Sequence, residues 1–245
     1  MFELDLHKYG PLFSDYGELR LHRNQMSYLS LLNGEVGSNV SKDENGFSVR
    51  LGKGGVWGFS SASDISDSRI RKAFKSTEEK LNWLYGKKKS SLELPAAKAE
   101  SGTWLFKAQN KAWNTHQRLE FLRELDNYSL QKYPDLSMRS LVILAADIEK
   151  KAITSNGGIF HLNRPSQNVV IALTSNKNGE PISLYDMFGG FGFLADDLQS
   201  LDTYFLAIDE LHEHLMHKVE GVYAKSGMQN VVMDADLAGI LSHEA

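Results

Sequence analysis

The chain contains no cysteine, so it can supply neither a disulfide framework nor a thiolate metal site. It has no excess of positive charge: 27 Lys and Arg stand against 31 Asp and Glu, a formal net charge of −4. A protein that neutralises many phosphates needs a basic face. The longest basic run here is Lys87-Lys88-Lys89, which reads as a solvated loop, so no nucleic-acid partner is expected. No stretch approaches the ~18 apolar residues of a membrane span. The opening residues, Met1-Phe2-Glu3-Leu4-Asp5-Leu6-His7, carry acids where a signal peptide would carry a basic region and an apolar core. Together these absences leave a soluble cytoplasmic protein without a membrane partner as the expectation.

What is present is ordinary globular material, 245 residues of which 42% are hydrophobic and 24% charged. That suffices for one large domain or two small ones. Residues 16–23 and 25–32 are β-compatible, and Asn33-Gly34 marks a turn. Gly46-Phe47-Ser48-Val49-Arg50-Leu51 alternates, and Lys53-Gly54-Gly55 turns the chain into Val56-Trp57-Gly58-Phe59. Such runs predict an antiparallel sheet with one buried face. Ser66 is placed to cap a helix whose apolar positions are Ile70, Ala73, Phe74, Leu81 and Leu84, ending at Gly86. Residues 87–102, with Pro95, read as a linker-like excursion.

In the second half, residues 115–132 predict a helix carrying Leu119, Leu122, Leu125 and Tyr128, stopped before Pro134. Residues 141–146 and 169–173 read as buried strands, with a hairpin turn at Asn156-Gly157-Gly158 and another at Asn178-Gly179. From Leu194 to Val222 apolar residues step by three and four, through Leu201, Phe205, Ile208, Leu211 and Leu215. That spacing predicts one long amphipathic helix with a continuous buried stripe. Blocks of strands and helices give an α+β class, with antiparallel or mixed sheets and packed helices. Val231-Val232-Met233-Asp234 reads as a short strand, followed by an apolar, small-residue helix that reaches His243-Glu244-Ala245.

Two His-Glu pairs are candidates for chemistry. His212-Glu213-His214-Leu215-Met216-His217 matches H-E-x-x-x-H in form. Zinc proteases commonly place two His four apart on one helical face, with the adjacent Glu activating water. A spacing of five turns the two imidazoles ~140° apart on a regular helix. These three histidines therefore read as the exposed flank of an amphipathic helix. His243-Glu244 is the stronger candidate: in a helix of apolar and small residues, such a pair would be costly to bury without a metal or a hydrogen-bond partner. The Gly-rich segments at 52–55 and 189–192 lack the strand, loop, Lys-Ser/Thr and helix order of a phosphate site, and read as tight turns and close backbone approaches.

The run Val231-Val232-Met233-Asp234-Ala235-Asp236-Leu237-Ala238-Gly239-Ile240-Leu241-Ser242-His243-Glu244-Ala245 resembles the segment leading into the H-E-x-x-x-H motif of the TldD/PmbA metallopeptidases, also described as modulators of DNA gyrase. Upstream, Tyr16-Gly17-Glu18-Leu19-Arg20 is similar to the family's first strand. Asn33-Gly34-Glu35-Val36 is similar to its recurrent turn, and residues 55–65 to its Gly-Trp-Gly-Phe block. Asn156-Gly157-Gly158 and residues 189–193 follow in the expected order, so the likeness spans nearly the whole chain.

The resemblance implies a zinc peptidase acting on extended or unfolded peptides. His243 would be the first zinc ligand and Glu244 the general base that deprotonates zinc-bound water. It also implies a homodimer or a heterodimer with a paralogous subunit. Residues 1–225 would form the N-terminal α+β domain and residues 226–245 the start of the catalytic domain. On this reading the chain stops inside the motif at Ala245 and is inactive by itself, since a zinc site needs about three protein ligands. The alternative is a non-catalytic partner or scaffold subunit. A free-standing ligand-binding protein would require a pocket, which the sequence does not reveal.

Overall fold

A computed structural model describes residues 2–87, 99–107, 111–193 and 200–244. After a 3-10 turn at His7–Leu12 come strands β1 (Tyr16–Leu32), β2 (Glu35–Lys53) and β3 (Val56–Ala62), then helix α1 (Asp67–Lys87). The second half runs through β4 (Gly102–Leu105), α2 (Thr115–Lys132), β5 (Met138–Thr154), β6 (Ile159–Lys177) and β7 (Glu180–Phe191). It continues with α3 (Leu201–Glu220) and α4 (Ala235–Glu244). The strands form one sheet in the order β3-β2-β1-β5-β6, beyond which short β4 runs parallel to one end of β6 and β7 antiparallel to the other.

Three two-residue turns build the hairpins. Asn33-Gly34, Gly54-Gly55 and Asn178-Gly179 all have positive φ at both positions, between 49° and 88°. That is the geometry whose twist matches the flanking strands, and Asn and Gly adopt it most cheaply. All three lie where the sequence placed turns. The Gly-rich reading of residues 189–192 also holds: a Cβ on Gly189 would sit 2.2 Å from the carbonyl of Gln167 on β6, so only glycine permits that approach.

Odd-numbered residues of the central strands face the helices. Near one end Leu19, Leu21, Phe47, Val49, Leu51 and Ile153 pack under α1 through Ile70, Phe74 and Leu81. Near the other, Leu29, Leu31, Leu141, Ile143, Val169 and Ile171 pack under α2 and α3 through Leu122, Leu125, Ile208 and Leu215. The two cores are therefore separate clusters on one face of the same sheet. A buried ion pair ties α2 to β5: Asp126 accepts from Arg139 at 3.0 Å, with side chains 5% and 7% exposed. The opposite face stays accessible, with Tyr28, Val40, Leu144 and Met187 between 37% and 57% exposed.

The α+β class with packed helices is therefore what the structure has. Several expected boundaries need correction. Within the expected helix 194–222 the described part is α3, ending at Glu220; residues 194–199 lie outside the described residues, and Val222 is 93% exposed beyond the helix. Tyr204, Ile208, Leu211 and Leu215 are buried and Leu201 and Phe205 pack at the margin, so the stripe does face the sheet. Of the linker-like stretch 87–102, Lys87 is the last residue of α1 and Gly102 the first of β4; residues 88–98 lie outside the described residues. The strand expected at 231–234 does not form. Val231 and Val232 are 71% and 98% exposed, and an extended segment with no neighbouring strand has nothing to pair with.

Candidate functional site

The His243-Glu244 pair lies in the last turn of α4. The helix begins because the Asp234 carboxylate accepts from the Leu237 amide at 2.8 Å, while its carbonyl accepts from Ala238. This is the N-cap arrangement that satisfies a first-turn donor. No residue of α4 is buried, and Leu237, Ile240 and Leu241 are 47%, 59% and 52% exposed. The expectation of a buried helix is thus corrected: none of its described residues is buried, so burial imposes no cost on His243 or Glu244 here. Among the described residues no group of three or more His, Asp or Glu is arranged to hold a metal ion. His243 offers one imidazole donor, which by itself does not fit a closed zinc site.

The other His-Glu segment has a structural role at its first residue. His212 is not on a solvated flank. Its ring stacks on Tyr133 with centroids 3.7 Å apart and planes 11° from parallel. Burial there pushes its pKa below the ordinary histidine value, against a weaker upward pull from Asp209. Beside it, Asp209 accepts from Tyr133 at 2.7 Å, from Tyr128 at 2.9 Å and from Lys132 at 2.7 Å. This network clasps α3 to α2. His214 and His217 are exposed, as the helical spacing implied. The three histidines form no joint site.

A second feature carried no signal in the sequence. Between the two cores the helix-bearing face of the sheet turns polar, and a cleft of about 420 Å³ opens there. Gln25 and Ser27 of β1, Asp43 of β2, Asp147 of β5 and Gln167 of β6 line it, beneath Arg118 of α2. The strand register sets this convergence: Gln25 lies opposite both Asp43 and Asp147, and Ala145 opposite both Ser27 and Gln167. These residues are far apart in sequence and belong to no spacing motif. Only the pairing of strands collects them.

Comparison with known proteins shows what the chain is similar to. Residues 17–80, which hold nearly all of β1 to α1, match the first domain of the PmbA/TldA metallopeptidases. A metalloprotease of Methanocaldococcus jannaschii is 23% identical over 235 residues, covering 94% of this chain and 50% of that protein. Among solved structures, a protein described as a modulator of DNA gyrase from Bacteroides thetaiotaomicron superposes with a TM-score of 0.68 at 13% identity, over 90% of this chain and 50% of that one. TldE from Thermococcus kodakarensis gives 0.56 at 13% identity, over 87% and 46%. A Thermotoga maritima protein, also described as a modulator of a DNA gyrase, gives 0.61 at 11% identity, over 86% and 46%. The structural matches establish the shared fold, and the chain spans about half the length of each of these relatives. With the sequence match of residues 17–80, they make the chain similar to the TldD/PmbA metallopeptidases.

Proposed function

We propose that this chain is the N-terminal part of a zinc-dependent peptidase that cleaves extended or unfolded peptides in the cytoplasm. The observation that carries the reading is the position of His243 and Glu244, side by side on a solvent-facing helix, in a chain whose residues 17–80 match the family's first domain. His243 contributes one donor to a metal site whose other ligands come from outside residues 1–245. Zinc bound there would polarise a water molecule. Glu244 is the carboxylate that accepts the proton of that water, a role that needs hydrogen-bond reach rather than metal ligation. A second subunit, identical or paralogous, would help enclose the peptide. The exposed apolar side chains of α4 support such an assembly, because a solvent-facing apolar stripe is what a covering domain or subunit would bury.

Reconstitution tests this. The chain is supplied with a C-terminal half of a family member, fused or separate, and assayed on unstructured peptides. Zinc-dependent cleavage is expected. Glu244→Gln removes turnover and spares metal binding, His243→Ala removes both, and His217→Ala removes neither. An assembly that binds zinc and cleaves nothing, or that keeps turnover in the Glu244→Gln variant, replaces the peptidase reading with that of a non-catalytic partner subunit.

A further inference from the structure

The cleft between the two cores is lined by four acidic or basic side chains, Lys42 and Asp43 of β2, Asp147 of β5 and Arg118 of α2, and their pairing is uneven. Lys42 is paired with Glu44 at 2.6 Å. Asp43 is satisfied by Arg23, at 2.7 Å, and by Gln25, at 3.0 Å. Asp147 accepts one hydrogen bond, from Asn163 at 2.6 Å. Arg118 stands apart. It is half-buried, it donates to the Ser27 hydroxyl at 2.7 Å, and it makes no ion pair with any described residue. Its Nε is shielded from solvent and has no hydrogen-bond partner among the described residues, so a ligand would be met by the Nη end of the guanidinium. Burial also pulls its pKa down from the ordinary guanidinium value. A guanidinium presents a rigid planar fork of donors that matches a carboxylate in two-point contact. A guanidinium with no ion pair among the described residues, lining a 420 Å³ cleft, is therefore placed to receive an anion.

The rest of the cleft narrows the choice of anion. Asp43 and Asp147 line the same cleft as Arg118 and oppose a multiply charged group such as phosphate. Asp147, with a single partner, can accept from an ammonium or an amide N–H. Phe193, Ala112 and Ala145 supply apolar wall between these poles. We propose that this cleft binds the carboxylate end of a peptide or amino acid, with Arg118 gripping the carboxylate and Asp147 accepting from the ligand's nitrogen. The claim concerns binding by residues 23–193 and does not depend on the peptidase reading, which rests on His243 and Glu244.

The test titrates the chain with the dipeptide Ala-Ala, its C-terminal amide, free alanine and inorganic phosphate, following backbone amide shifts. Ala-Ala is expected to give saturable shifts around Ser27, Ala145 and Gln167. Its C-terminal amide should bind roughly ten-fold or more weakly, since the charge met by a shielded guanidinium is gone. Free alanine binding as tightly as Ala-Ala identifies an amino-acid ligand, and weaker binding a peptide end; both carry the proposal. Arg118→Gln should weaken Ala-Ala by a similar factor, and Arg118→Lys should rescue little of it, because an ammonium cannot fork. Equal binding of acid and amide, no saturable shift with Ala-Ala or alanine, phosphate binding as tightly as either, or an unchanged Arg118→Gln variant would overturn it. The acid-amide comparison uses the unaltered chain, so it stands even if a variant fails to fold.

Discussion

Residues 2–220 and residues 221–244 carry similar apolar material and meet opposite ends. In the first region Leu122, Leu125, Ile208 and Leu215 are fully buried between helices and sheet. In the second, Val232 is 98% exposed and Ile240 59% exposed, on a segment with no buried residue. Hydrophobic spacing says that a face wants cover, and it is silent on whether the cover lies within the same stretch of chain. The body covers itself because its long strands offer α1, α2 and α3 a continuous apolar face. The tail buries none of its described residues on any such face, and it is the tail that holds His243 and Glu244.

The contrast can be broken by mutation, and the largest effect belongs to the buried ion pair. Asp126→Ala leaves Arg139 buried without its partner and is expected to destabilise the fold by about 3–5 kcal/mol, read from urea unfolding. A variant within ~0.5 kcal/mol of the parent would show that the pair is not buried as described. Leu122→Ala should cost about 2–5 kcal/mol in the same assay, because a fully buried side chain is lost from a packed core. At the other extreme, Ile240→Ala in the tail should stay within ~0.5 kcal/mol, as expected for a site with no packing to lose. A cost near that of Leu122→Ala would mean that α4 docks on the body.

An intermediate effect is expected at the α2–α3 clasp, and it depends on pH. Burial holds the pKa of His212 below its unfolded value. The stability linked to neutral His212 is then fully present above the unfolded pKa and is lost as pH falls through the folded one. Unfolding midpoints should drop as pH falls below the unfolded value, near 6.5, until His212 is protonated in the folded state as well. His212→Phe keeps a ring on Tyr133 and removes the titration, so it should flatten that part of the profile. An equal slope in parent and variant would place the pH sensitivity elsewhere.

How much of this was legible in the sequence follows from how local each signal is. Asn33-Gly34, Gly54-Gly55 and Asn178-Gly179 announced their turns because positive φ restricts residue choice at two adjacent positions. The helix at 115–132 was readable from its apolar spacing, and its Asn114 cap is closed by Gln117 in a reciprocal box. His212 was misplaced because its partner, Tyr133, is the C-cap of another helix. The Arg118 cleft was invisible for the same reason: its floor is gathered from β1, β2, β5 and β6 by register alone. The strand expected at 231–234 failed because a strand exists only with a neighbour to pair.

The most direct test of the account is amide hydrogen exchange across the chain, with and without added zinc. His243 and Glu244 lie on a helix with no buried residue, and the proposed function puts His243 in a metal site completed from outside residues 1–245. The account predicts slow exchange through the interiors of β1, β5 and β6, and unprotected exchange throughout 221–244 that zinc leaves unchanged. Protection of residues 235–244 in the chain alone, or protection that appears there on adding zinc, would contradict it.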